Sequence, residues 1–128
     1  MNDGTGLAAI GQVARTVGDV ARAERWYADV LGLRHLYTYG KLAFFDCDGV
    51  RLMLTEKEEP GADSLLYFRV AAIETALEGL AARGAVVSSG PHRIFTHPDG
   101  SEEWMAFFDD PDGRPLALME QRRPRDSR

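Results

Sequence analysis

The stretch VGDVARAERWYADVLGL, residues 17–33, decides the fold because it joins a strand to a helix. The preceding run, Ile10 to Val17, has the pattern of a β-strand. Asp19 then offers a side-chain oxygen to the free N–H groups at the start of a helix. Gly32 lies where a left-handed residue commonly ends one. Between them, apolar residues recur at helical spacing: Val20, Ala23, Tyr27 and Val30.

Three short β-prone runs follow this helix, and we predict strands at Arg34 to Tyr39, Lys41 to Cys47 and Val50 to Glu56. Asp48-Gly49 separates the last two and is a strong signal for a hairpin turn. The polar stretch Lys57 to Asp63 has no periodicity, so we interpret it as a linker.

The same order of elements returns after the linker. Ser64 to Val70 has the pattern of a strand, and Gly84 ends a predicted helix that contains Ile73, Ala76, Leu77 and Leu80. Further strands are predicted at Ala85 to Ser88, Glu103 to Phe108 and Arg114 to Gln121, with Asp112-Gly113 as the last turn. Aligning Val17 with Val70 also aligns Val20 with Ile73, which indicates a tandem duplication. We predict a single domain over 1–128, with module one at about 8–57, module two at about 63–121 and a polar tail at 122–128.

Charge and composition exclude several classes of partner. The 128 residues include 20 acidic and 15 basic side chains, for a net charge of −5, which disfavours nucleic acid and anionic membranes. The first residues lack the basic and apolar regions of a signal peptide, and no apolar run has the length of a membrane span. We therefore expect a cytoplasmic protein. Cys47 is the only cysteine, so an internal disulfide is excluded.

Two motifs together resemble one known superfamily. Residues 17–33 are similar to the first βα unit of the vicinal-oxygen-chelate superfamily, which contains glyoxalases, bleomycin resistance proteins and extradiol dioxygenases. Phe107-Phe108-Asp109-Asp110-Pro111-Asp112-Gly113 resembles its penultimate strand and final turn. The resemblance implies an α+β fold of two tandem βαβββ modules, whose strands form a cup-shaped mixed sheet with helices on the outer face. It also implies a homodimer.

The resemblance further implies four positions at which family members hold a metal ion. They correspond here to Gln12, Met53, Leu65 and Ala117. Only Gln12 has an oxygen donor, whereas divalent metals need at least two or three converging oxygen or nitrogen donors. We therefore predict no cofactor and disfavour a divalent metal. Thr16 also replaces the arginine with which glutathione-using lactoylglutathione lyases bind a carboxylate.

Strand alternation suggests which side chains line the cup. Taking Gln12 as cup-facing places a set of aromatic, thioether and polar groups beside it, and such a lining suits a small, partly aromatic organic molecule. In this phase Met105 and Phe107 face the helix. Met53 and Phe108 could instead fill the core, Trp104 could lie at a dimer interface, and Arg69 could be a solvated charge. The predicted ligand-binding residues are Gln12, Met53, Tyr67, Arg69, Trp104 and Phe108.

Histidine is the default candidate for acid–base chemistry near neutral pH. The resemblance to metal-free family members favours His92, in a Pro-His pair, as a tentative catalytic residue. His97 lies in a turn-rich, acidic stretch whose spacing matches no metal motif. Three hypotheses remain: a small-molecule binding protein, a lyase, isomerase or dioxygenase-like enzyme with His92 as general base, and a dimeric interaction module with a filled cup.

Overall fold

The computed structural model describes residues 10, 12–61 and 64–123 of the chain. The chain forms two compact units, residues 1–61 and 62–128, which we call module one and module two. Each contains one helix and one four-stranded sheet, which confirms the predicted α+β class with two βαβββ modules. The predicted module starts near residues 8 and 63, and the predicted tail from residue 124 onward, lie outside the described residues.

The elements of module one are β1 Gln12–Val17, α1 Val20–Asp29, β2 Arg34–Tyr39, β3 Leu42–Cys47 and β4 Val50–Glu56. The sheet order is β1-β4-β3-β2. Strand β1 pairs with β4 in parallel, and the other pairs are antiparallel. The β3–β4 hairpin turns at Asp48 and Gly49, which have φ angles of 53° and 99°. Two positive φ angles are what a tight hairpin turn requires, so the predicted Asp-Gly turn is confirmed.

The elements of module two are β5 Tyr67–Arg69, α2 Ile73–Ala82, β6 Val86–Thr96, β7 Glu102–Asp109 and β8 Pro115–Arg122. They repeat the topology of module one, with the sheet order β5-β8-β7-β6. Strand β5 is parallel to β8, and β8, β7 and β6 are antiparallel neighbours.

Strand β6 is longer than predicted, because it continues from Ser88 to Thr96 through Gly90 and Pro91. The sequence signal was misleading here, since glycine and proline usually mark a turn. An edge strand can include a proline, which has no N–H to give to a ladder. Register shifts on either side of this dipeptide accommodate it.

In each module, a carboxylate from the last strand caps the N-terminus of the helix. The Glu56 side chain accepts a hydrogen bond from the Val20 N–H at 3.0 Å, and Glu120 accepts one from the Ile73 N–H at 2.8 Å. Helix α1 also has the predicted cap, in which Asp19 accepts from the Arg22 N–H at 3.0 Å. Ala72, at the corresponding position before α2, offers no side-chain acceptor. A carboxylate at a helix N-terminus satisfies free N–H groups and complements the helix dipole.

Each module buries its core between its helix and one face of its sheet. In module one, Tyr27 of α1 packs against Phe45 with ring centroids 6.0 Å apart, and Leu52 and Leu54 are buried. In module two, α2 buries Ile73, Leu77 and Leu80. None of the helices in the described part of the chain has the length and apolar character to cross a membrane.

Candidate functional site

The two carboxylates that cap the helices also identify the two faces of each sheet. Since Glu56 reaches α1, the alternate residues Leu54 and Leu52 point toward α1 as well. We call the opposite face, which points away from the module's own helix, the helix-free face. In module one it includes Gln12, Ala14, Thr16, Tyr37, Tyr39, Leu42, Phe44, Asp46, Arg51, Met53 and Thr55. The Tyr37 and Phe44 rings stack on it with centroids 4.6 Å apart.

Gln12 and Met53 thus lie together on the helix-free face of module one, as predicted from alternation. The Nε of Arg51 donates a hydrogen bond to the Gln12 Oε1 at 2.6 Å, while the Gln12 Nε2 lies 4.0 Å from the Met53 sulfur. The Arg51 guanidinium also lies 5.4 Å from the centre of the Phe44 ring. The Gln12 and Arg51 side chains of this face therefore satisfy each other.

The residues at the four positions that correspond to the family's metal ligands do not fit a divalent metal ion. The only oxygen donor among them, on Gln12, already accepts from Arg51. Leu65 and Ala117 have no side-chain donor, and Met53 contributes only a thioether. Within residues 10, 12–61 and 64–123, no three His, Cys, Asp or Glu side chains converge as a metal-binding group.

The helix-free face of module two is identified in the same way. Glu120 accepts from the first N–H of α2, and Arg122 donates two hydrogen bonds to Glu74 of α2, at 2.7 and 2.9 Å. The even-numbered residues of β8 therefore face the helix, and Ala117 and Met119 face away. The strand register extends this assignment across the sheet. The helix-free face of module two includes Tyr67, Arg69, Ser89, His92, Phe95, Glu103, Met105, Phe107, Ala117, Met119 and Gln121.

Three rings lie together on this face. The Tyr67 and Phe107 rings meet edge to face with centroids 6.4 Å apart, and the His92 ring lies 6.5 Å from Phe107. Tyr67 is 45% exposed, and the side chains of Met105 and Met119 are half-buried beside it in the register. The predicted site residues Tyr67, Arg69 and His92 therefore share one face.

Trp104 and Phe108 lie on the opposite face, so the prediction that they line the cup with Tyr67 is wrong. Phe108 is completely buried, and its cross-strand partner is Leu116. The Arg122 guanidinium lies 4.0 Å from the centre of the Trp104 ring, on the side of α2. The error is a one-residue shift in phase, which exchanges the two faces of a strand.

A cavity of about 380 Å³ opens at the Arg69 end of module two. The Asp99 carboxylate inside it accepts hydrogen bonds from the Ser101 hydroxyl at 2.6 Å and from the Ser101 N–H at 2.8 Å. These hydrogen bonds, the hydroxyl first, hold the pKa of Asp99 below its ordinary value. The cavity is lined by Arg69, Val70, Ala71, Asp99, Ser101, Gln121 and Arg123.

A histidine–glutamate pair adjoins this cavity. The Nε2 of His97 lies 2.8 Å from the Glu103 Oε2, and the Gln121 Nε2 donates to the same oxygen at 2.9 Å. The other Glu103 oxygen is buried and has no hydrogen-bond partner among the described residues. His97 is thus part of a local polar network and not merely a solvated loop residue.

Sequence reasoning missed Met105, Phe107 and Arg123 as members of this region. One signal could have found Phe107. A turn at Asp112-Gly113 pairs Asp109 with Pro115 and therefore Phe107 with Ala117. Ala117 corresponds to a metal-ligand position of the family, so Phe107 should lie on the same face as that position. No comparable signal exists for Arg123, because the cavity depends on how the loop around Asp99 folds back to β8.

The comparisons with known proteins agree with this architecture. Solved structures with the same fold include a lactoylglutathione lyase from Agrobacterium tumefaciens, with 25% identity and a TM-score of 0.66 over 89% of this chain and 94% of that one. A glyoxalase/bleomycin resistance protein/dioxygenase from Nocardioides has 21% identity and a TM-score of 0.69, over 92% and 86%. Its counterpart from Alicyclobacillus acidocaldarius has 16% and 0.73, over 88% and 90%.

No protein of curated function matches the chain. The profile of the Glyoxalase/Bleomycin resistance protein/Dioxygenase superfamily matches residues 9–118, which include both modules up to the middle of β8. The chain therefore belongs to the glyoxalase/bleomycin resistance protein/dioxygenase superfamily.

Proposed function

We propose that the protein binds a small, partly aromatic organic molecule on the helix-free face of module two, without a metal ion. The observation that carries this proposal is the cluster of Tyr67, Phe107 and His92 rings, which lies on a face that the module's own helix does not cover. Aromatic side chains supply a large apolar contact area, and the edge-to-face geometry of Tyr67 and Phe107 suits the packing of a further flat ring.

The surroundings of the cluster support a ligand site. Met105 and Met119 border the rings, and thioethers adapt their shape to apolar ligands. The adjoining cavity, at about 380 Å³, lies in the size range of small-molecule pockets. An apolar surface beside a few polar groups is the usual composition of such a pocket.

The neutral aromatic probe 2-naphthamide tests this proposal in isothermal titration calorimetry. We expect a dissociation constant on the order of 10–100 µM, given the affinity that a ligand of this size reaches. Tyr67→Ala should weaken binding by about three- to tenfold, because it removes one aromatic partner. The matched control is Tyr39→Ala, at a 76% exposed tyrosine of β2 in module one, which should leave binding unchanged.

Absence of measurable heat and of any probe-induced rise in melting temperature would contradict the binding function. Equal losses for Tyr67→Ala and Tyr39→Ala would contradict the assignment of the site to module two. The metal-independent part is tested by repeating the titration with EDTA, which should not change the affinity.

One observation favours an enzyme as the second candidate. The His92 Nδ1 lies 2.9 Å from the Gly90 carbonyl oxygen, which can only accept a hydrogen bond. A neutral His92 in this contact therefore has its proton on Nδ1, and its Nε2 has the free lone pair of a general base. Such a base suits the removal of a proton next to a carbonyl group, as in a lyase or isomerase.

Hydrogen–deuterium exchange at the methylene carbon of phenylpyruvate tests this candidate by NMR. An enzyme should accelerate the exchange, and His92→Ala should abolish the acceleration while 2-naphthamide still binds. Exchange at the uncatalysed rate would contradict the enzyme candidate, and the binding function would be the one that remains.

We also propose the homodimer that the family resemblance implies and the cytoplasmic location expected from the sequence. Sedimentation equilibrium of the purified chain should give twice the mass of 14.2 kDa if the dimer forms, and a monomer mass would contradict it.

A further inference from the structure

Two arginines line the cavity at the end of β5. Arg69 and Arg123 both line it, and neither has an ion-pair or hydrogen-bond partner among the described residues. Other arginines have partners: Arg51 with Gln12, Arg93 with Glu102, and Arg122 with Glu74. Unpaired guanidinium groups beside a concave surface are suited to bidentate binding of an oxyanion.

The remaining polar groups of the cavity are already occupied within the protein. Ser101 gives both its hydroxyl and its N–H to Asp99, and the Gln121 Nε2 donates to Glu103. Asp99 is the only acid among the described residues that line the cavity. Two arginines against one aspartate leave the cavity with a positive balance, although the whole chain has a net charge of −5.

The cavity is continuous in register with the aromatic cluster. Arg69 follows Tyr67 by two residues on β5 and lies on the same face, opposite Met119. Alternate residues of a strand are roughly 7 Å apart, about the length of a small aromatic acid. A ring placed against Tyr67 and Phe107 could therefore extend a substituent to Arg69.

We propose that the ligand is an aromatic carboxylate, whose anionic group binds Arg69 and Arg123 in this cavity. The inference rests on the proposed binding function and names its ligand class. Arg69 occupies the position in module two that Thr16 occupies in module one, so the anion site belongs to module two alone.

The experiment compares 2-naphthoate with its neutral isostere 2-naphthamide by isothermal titration calorimetry. We expect 2-naphthoate to bind about five- to tenfold more tightly at low ionic strength, because charge-assisted hydrogen bonds exceed neutral ones. The difference should shrink as NaCl is raised to about 0.5 M, since salt screens exposed charges.

Three variants locate the effect. Arg69→Gln should remove most of the preference for 2-naphthoate over 2-naphthamide, because only Arg123 then remains to bind the anionic group. Arg93→Gln removes the same charge from the helix side of the same sheet and should change neither affinity. Asp99→Asn should strengthen 2-naphthoate binding by about two- to threefold, because it removes the nearby negative charge. Circular dichroism confirms folding of each variant.

The outcomes separate the two proposals. Equal affinities for both probes, with no response to Arg69→Gln, would overturn the carboxylate inference while the binding function stands. Equal losses in Arg69→Gln and Arg93→Gln would also overturn it, because the effect would then be one of net charge. Failure of both probes to bind would overturn the binding function together with the inference.

Discussion

The helix-free faces of the two modules differ although their topology is the same. In module one, the Gln12 and Arg51 side chains bond to each other across β1 and β4 at 2.6 Å. In module two, Tyr67 and Arg69 occupy the positions on β5 that Ala14 and Thr16 occupy on β1. The Tyr67 ring meets Phe107, and Arg69 has no partner among the described residues. The duplicated fold thus keeps its helix caps and cores in both copies, whereas the polar and aromatic groups of one face have diverged.

This difference indicates where a ligand gains most. Binding at module one has to replace an existing hydrogen bond, which returns little net free energy. At module two a ligand gains apolar contact and binds Arg69, which has no hydrogen bond to break among the described residues. The face with unsatisfied groups is therefore the better binding surface.

The largest expected effect separates the two faces of β7. Phe108→Ala should lower the free energy of unfolding by about 3–5 kcal/mol, because a fully buried ring leaves a cavity. Phe107→Ala, at the half-buried neighbour on the helix-free face, should cost roughly 1 kcal/mol and weaken 2-naphthamide binding. Urea unfolding measures both, and the reverse ranking would contradict the assignment of the faces.

The shared helix caps should give a medium effect of similar size in both modules. Glu120→Ala and Glu56→Ala each remove a carboxylate from a helix N-terminus, and we expect each to cost about 1 kcal/mol. Thermal unfolding measures the two variants. If only one of the two variants were destabilised, the two caps would not contribute equally to stability. Glu120 should matter slightly more, since α2 lacks the second cap that Asp19 gives to α1.

A smaller effect on stability should depend on pH, and it comes from an ion pair in module two. The hydrogen bonds from Arg122 hold the pKa of Glu74 below its ordinary value. An acid with a lowered pKa in the folded state stabilises the fold above its unfolded pKa, and this contribution is lost as the pH falls through the folded pKa. Glu74→Gln should therefore lower the urea midpoint slightly at pH 7 and leave it unchanged at pH 2. A loss of the same size at both pH values would contradict the ion-pair origin.

The smallest expected effect is that of metal ions. Among the four positions that correspond to the family's metal ligands, only Gln12 has an oxygen donor, and it is already bonded to Arg51. Ni²⁺, Zn²⁺ or Mn²⁺ at 0.1 mM should therefore not raise the melting temperature of the EDTA-treated protein. Differential scanning fluorimetry checks this. A rise of several degrees that Gln12→Ala removes would show a metal site in module one that the donor set does not predict.

The sequence predicts most of the fold because the decisive signals are local. Asp19 caps α1 as expected, and the Asp48-Gly49 turn has the backbone angles that its residue types favour. The phase of β4 is also predictable, since Leu52 and Leu54 alternate with the polar residues Arg51 and Thr55.

The site in module two is less predictable because its signals are not local. Both faces of β7 are apolar, so alternation alone does not distinguish Phe107 from Phe108, and only the register of the β7–β8 hairpin does so. The Glu120 cap and the cavity between Arg69 and Arg123 join residues that are far apart in the sequence. No periodicity encodes such contacts.

The central claim, that the ligand binds the helix-free face of module two, is tested most directly by amide chemical shifts during a titration with 2-naphthoate. We expect the largest ¹⁵N–¹H shift changes at Tyr67–Arg69, Met105–Phe107 and Ala117–Gln121. Changes confined to Gln12–Thr16 and Arg51–Thr55 of module one, with none on the helix-free face of module two, would contradict it.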